Sequence, residues 1–223
     1  MLAVGCAGLV WGVLGLPSGE AADDLRDIGT RLLRQERFSQ PGLVRKMEKA
    51  AAKSLSPCDT HSQRAMLLIE MPLTEAALRA GLVQDFDRHL HSLESRARNI
   101  LSCTPRDSFV WLVLFTLETL HGRLDERSFA VLDMSYETAP SEAWIGIRRT
   151  GVAVPQLLVV PEPLRLKILG EFQQLIKDGF ADSAARSYLG ASQPIRAMLL
   201  ARVEQLDPEQ QKHFSNSLQQ LRS

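Results

Sequence analysis

The chain has 223 residues, 45% of them hydrophobic and 23% charged, which is enough for one substantial core or one extended helical array of ordinary globular composition. Basic and acidic side chains are equal at 26 each, for a formal net charge of zero. That balance argues against a nucleic-acid binder and against dependence on an anionic membrane surface, because both need a basic field.

The first element is an apolar leader. "MLAVGCAGLVWGVLGLP" holds no charged side chain from Met1 to Pro17, and the first acid and base are Glu20 and Arg26. The run falls short of the ~20 residues that span a bilayer comfortably. It suits the apolar region of an export signal or a short anchor. A basic residue normally precedes such a region, and a start lying upstream would supply it. "SGEAAD" (18–23) offers small residues for cleavage. "AVGC" has its apolar run after Cys6, the wrong order for a lipoprotein box. A soluble helix would show a polar face here. Residues 1–19 therefore read as a signal or membrane anchor, with residues 1–17 in contact with the membrane. Residues 20–223 read as an α-helical, repeat-like domain.

From residue 23 onward the pattern is helical. Pro72, inside "IEMPLTEAAL", is expected to break or kink its run at Met71. Val83, Phe86, Leu90, Leu93, Ala97 and Ile100 recur in steps of three and four, one apolar stripe on one helix. Asp85 to Arg88 and Glu94 to Arg98 are spaced to pair along its wet face. "FVWLVLF" (109–115) is apolar all round, a core helix capped by Asp107 or Ser108. Asp125 opens the next run, with Phe129, Leu132 and Tyr136 on one side. "GVAVPQLLVVPEP" (151–163) reads as a helix end and packed connector, since a lone strand would have no partner. Pro57, Pro105, Pro140, Pro161 and Pro163 fall between runs, and Gly81, Gly122 and Gly179 fall in turns.

Pro105 precedes Trp111, Pro140 precedes Trp144, and Gly122 with Leu124 lies between the two tryptophans. This spacing resembles the tetratricopeptide pattern over residues 105–144: a Trp early in the first helix, a Gly at the turn, and a Pro closing the second. Arg127 stands where that pattern has a small residue. "AKSLSPCDT" (52–60) and "RNILSCTPRD" (98–107) echo each other at a spacing too long for a strict unit. The resemblance is to a degenerate antiparallel helical-hairpin array, in which stacking neighbours bury the faces that one pair leaves open. More loosely, "MSYETAPSEAWIGIRR" with "EPLRLKILGEF" is similar to bacterial envelope-associated helical proteins encoded near cell-surface polysaccharide genes. That similarity implies a compartment and a setting, not an activity.

The sequence offers little chemistry. It contains no nucleophile elbow, zinc-protease helix, Walker loop or dinucleotide fingerprint. Cys6, Cys58 and Cys103 lack CxxC spacing, so no metal site is expected. His89 and His91 diverge on a helix, and Asp87 with His91 is too small a set for a ligand. Glu70 and Glu118 lie in apolar helices; each is read first as a carboxylate reaching water at the edge of its helix, and alternatively as a general acid. Arg148 and Arg149 are read as ending the helix that Trp144 begins. They either complement that helix terminus or, with Tyr136 and Trp144, grip a partner's anionic group.

The expectation is an all-α, tetratricopeptide-like array behind an N-terminal apolar helix. It would act as a protein- or peptide-binding scaffold in the bacterial envelope, inner-membrane anchored or periplasmic, in support of polysaccharide production or export. It needs no cofactor and binds no nucleic acid, and an enzymatic role is the less favoured reading. The alternative is a glycan-processing enzyme using Glu70 or Glu118. Two states stay open for Cys58 and Cys103: a disulfide along one edge of the array, or two unrelated thiols.

Overall fold

The structure, a computed structural model, describes residues 58–222; the leader and everything else before Cys58 lie outside the described residues. Among those residues all regular structure is helical and no strand occurs, so the all-α expectation holds. None of these helices is long and apolar enough to cross a membrane. The chain divides into two compact units after Pro105.

The described part of the first unit is a hairpin of α1 (Thr60–Arg79) and α2 (Val83–Cys103). The Asp59 side chain caps α1 by accepting from Ser62 N at 3.2 Å. Of the break or kink expected at Pro72, the break does not occur: α1 runs through it. An internal proline costs about 3 kcal/mol, but buried side chains continue on both sides of it: Met66, Leu67 and Ile69 before, Leu73 and Ala77 after. Tertiary burial outweighs the local penalty. The helix ends where Gly81 adopts φ 69°. There Gly81 N donates to Leu78 O (3.1 Å) and Leu82 N to Ala77 O (3.0 Å), a Schellman cap. On α2 the expected stripe is buried at Leu90, Leu93, Ala97 and Ile100, whereas Val83 is exposed. Both expected surface pairs form, Asp85–Arg88 at 2.8 Å and Glu94–Arg98 at 2.7 Å. Cys58 and Cys103 form a disulfide with their Cα atoms 5.5 Å apart, which resolves the two open readings in favour of the bridge.

The second unit holds α3 (Ser108–Leu120), α4 (Glu126–Thr138), α5 (Ala143–Ala153), a 3-10 turn (Val154–Gln156), α6 (Glu162–Lys177), α7 (Ala181–Gly190), α8 (Gln193–Val203) and α9 (Pro208–Arg222). Asp107 caps α3 through Val110 N at 3.2 Å, and Ser108 turns inward instead. Asp125 and Ser128 form a reciprocal capping box on α4, each bond 2.9 Å. Gly122 and Gly179 terminate α3 and α6 at positive φ, as Gly81 ends α1. All of Phe109–Phe115 is buried except half-buried Trp111, as expected of an all-round apolar helix.

α3 pairs with α4, and α5 with α6. α6 is the central element: it packs against α4, α5, α7, α8 and α9. Its Phe172 meets Phe214 of α9 edge-on at 5.9 Å, and Phe214 meets Tyr188 of α7 at 5.8 Å. The 151–163 connector is packed as expected, with Leu157 and Val160 buried and Leu158 and Val159 exposed. It is pinned by Arg165 at the start of α6, whose Nε and Nη2 donate to Leu157 O (3.0 Å) and Val160 O (3.1 Å). Arg196 at the start of α8 repeats the device on Tyr188 O (3.1 Å) and Leu189 O (2.6 Å). The matching sequences are "EPLR" and "QPIR": a proline that opens a helix, then an arginine two residues on that satisfies the carbonyls left by the preceding segment.

Candidate functional site

The second unit's most developed polar network centres on Glu171 of α6. Arg149 of α5 is fully buried, and its Nε lies 3.0 and 3.1 Å from the two Glu171 oxygens, with Nη2 2.5 Å from Oε1. The remaining guanidinium donors reach Ser135 O at 2.5 Å and Ala139 O at 3.2 Å, both at the end of α4. Tyr136 donates its hydroxyl to Glu171 Oε2 at 3.0 Å, and its ring lies 4.0 Å from the Arg149 guanidinium carbon. Thr150 adds a longer 3.4 Å contact. Ser108 and Ser135 exchange hydrogen bonds of 2.7 and 2.9 Å between α3 and α4, tying α3 to the network. Burial and the neighbouring Glu171 charge push the Tyr136 phenol well above its ordinary range.

Glu171 and Tyr136 also line a cleft of about 440 Å³ between α4, α5 and α6, a volume usual for small-ligand sites. Pro140, Ala143 and Leu175 give it an apolar wall, and Gly146 and Gly170 open it. A Cβ on Gly146 would lie 3.1 Å from Glu171 Oε1, so this glycine makes room for the carboxylate. Around the cleft stand Glu137, Glu142 and Asp178, with Lys167 as the basic member. Lys167 is already engaged by Asp133 at 2.5 Å.

Of the four residues expected to bind a partner, Tyr136 lines this cleft and Arg149 lies behind it. Both arginines sit in the middle of α5 and not at its end, which corrects the expectation that they close that helix. Arg149 is consumed inside the protein and presents no donor edge to an outside anion. Arg148 is half-buried, and desolvation lowers its pKa. Trp144 is half-buried; its ring meets Phe109 at a tilt, 5.5 Å between centroids, and it donates to Glu142 Oε2 at 3.0 Å. Neither Arg148 nor Trp144 lines the cleft.

Glu70 does not reach water, contrary to expectation: it is 2% exposed and holds Ser92 Oγ at 2.8 Å and Arg96 Nε at 3.2 Å. Glu118 is bound by Arg123 at 2.5 Å. Among the described residues no cluster of metal-ligating side chains occurs. Glu171, the hub, was missed from sequence. Its signal is the "GE" pair inside the apolar run "ILGEF", where a helix-interior glycine and an acid together mark a polar device in a core. Compared with protein families, curated proteins and solved structures, the chain matches none of them.

Proposed function

We propose that the protein is an envelope-associated interaction scaffold that seats a segment of a partner protein in the α4–α5–α6 cleft, supporting cell-surface polysaccharide production or export. The observation that carries this reading is the cleft itself, with Tyr136 on its wall and a rigid buried network behind it. Preorganised walls lower the ordering cost of binding. The tetratricopeptide-like part of the reading rests on α3, α4 and the start of α5, where the Trp144–Phe109 contact links one hairpin to the next helix. The Cys58–Cys103 bridge supports a compartment outside the reducing cytosol, and hence the export or anchor role for residues 1–19. Glu70 and Glu118 are each engaged by an arginine and neither lines the cleft, which favours a scaffold over a glycan-processing enzyme.

Selection of random heptapeptides on the purified, oxidised chain tests the reading. Ser141 is exposed on the cleft rim, so Ser141→Trp places a bulky ring at the cleft without replacing any member of the buried network. Peptides enriched on the parent protein are expected to lose binding to Ser141→Trp. Equal binding to both proteins, or no enrichment at all, overturns the proposal.

A further inference from the structure

The charge around the cleft says which side chain it accepts. Glu171 cannot serve an outside ligand, because its two oxygens already take Arg149, Tyr136 and Thr150. Glu142 and Asp178 are differently placed. Both are exposed, and each has one short contact, Glu142 with Trp144 Nε1 (3.0 Å) and Asp178 with Gln174 Nε2 (2.8 Å). A carboxylate offers about four acceptor positions, so each retains capacity for a further donor. Glu137 adds a third charge, 4.0 Å from Lys167. Two helix ends meet the cleft, and their signs oppose. Asp178 follows the last turn of α6, where the carbonyl end is already negative. The positive start of α5 lies beneath Glu142, which offsets it. The result is an apolar trough with a negative rim.

We infer that this trough takes a lysine or arginine side chain of the bound partner segment. The aliphatic stem would lie along Pro140 and Leu175, and the cationic head would meet Glu142 and Asp178. Such side chains combine the two properties that the trough presents separately, a long apolar stem and a terminal positive charge. An acidic or neutral segment would leave the rim carboxylates desolvated without a partner, at a cost in affinity. The inference rests on the cleft being a peptide seat, so its test separates the two.

Four synthetic heptapeptide pools, with Lys, Arg, norleucine or Glu fixed at the central position, are titrated against the full oxidised chain by fluorescence anisotropy. The Lys and Arg pools are expected to bind about tenfold tighter than the norleucine pool, from about threefold for each rim carboxylate. Glu142→Gln and Asp178→Asn should each remove about threefold from the cationic pools and leave the norleucine pool unchanged. Added salt should narrow the gap. If Ser141→Trp abolishes binding while the norleucine or Glu pool equals or exceeds the Lys pool, the peptide seat stands and the cationic preference is wrong. If no pool responds to Ser141→Trp, both fail.

Discussion

Each compact unit contains an arginine–glutamate pair buried across two helices, and the two are finished to different degrees. In the α1–α2 hairpin, Ser92 and Arg96 both address Glu70 Oε1, while Oε2 is buried with no hydrogen-bond partner among the described residues. In the second unit, both Glu171 oxygens are filled, and Arg149 spends its remaining donors on backbone carbonyls of α4. The attraction between two buried charges roughly offsets the cost of taking them out of water, so the surrounding hydrogen bonds decide the balance. By that measure Glu171 is a locking element, and Glu70 is a tolerated charge in a hairpin held by other means.

The largest expected effect tests the contrast directly. Arg149→Met strands Glu171 and two carbonyls, and should cost about 3–5 kcal/mol in chemical denaturation. Glu171→Gln should cost about 3 kcal/mol, whereas Glu70→Gln, which removes an incompletely solvated charge, should cost under about 1 kcal/mol. Equal losses at the two glutamates would remove the distinction.

Next comes the bridge that compensates the weaker pair. Cys103→Ser opens a loop with a sequence separation of 45 residues and should lower stability by about 4 kcal/mol on the loop-entropy scale. Hydrogen exchange localises the loss: amides of α1 and α2 should lose protection, and those of α6 should keep theirs. Uniform loss across both units would contradict the assignment.

A smaller effect probes how tightly Glu171 is held. Gly151→Ala meets open space on α5 and should stabilise by about 0.5–1 kcal/mol. Gly146→Ala, on the same helix, should fail to deliver that gain because Arg149 holds the opposing carboxylate in place. A matching rise in melting temperature for both variants would mean that Glu171 yields.

The smallest effect is alkaline. The Tyr136 phenol is raised in the folded protein, first by burial and then by Glu171. A free phenol titrates near pH ~10, so above that the unfolded chain releases its proton first and folding loses stability as pH rises. Tyr136→Phe should therefore show a shallower fall in melting temperature above pH ~10 than the parent.

What the sequence made legible was local. The stripe from Leu90 to Ile100, the Asp107 and Asp125 caps and the three turn glycines each depend on neighbours within a few positions, and a periodicity or cap rule reads them directly. What escaped depends on partners far along the chain. Pro72 stays helical because of the apolar side chains packed on both sides of it. Arg149 is internal because Glu171, 22 residues on, supplies the opposite charge. No rule of local spacing connects those two residues. Of the candidate site, Tyr136 was identified and its carboxylate partner was not.

The hairpin in the first unit is closed at both ends, by the Gly81 turn at one and by the Cys58–Cys103 bridge at the other. Two helices joined only by a turn can shear past each other by a helical step of about 5.4 Å. A cross-link between the opposite ends forbids that slip, since any slide at one end must be matched at the other. The disulfide therefore fixes register as well as proximity. It keeps Leu90, Leu93, Ala97 and Ile100 facing the α1 residues they bury, and it denies the hairpin the sliding motion by which paired helices commonly switch state.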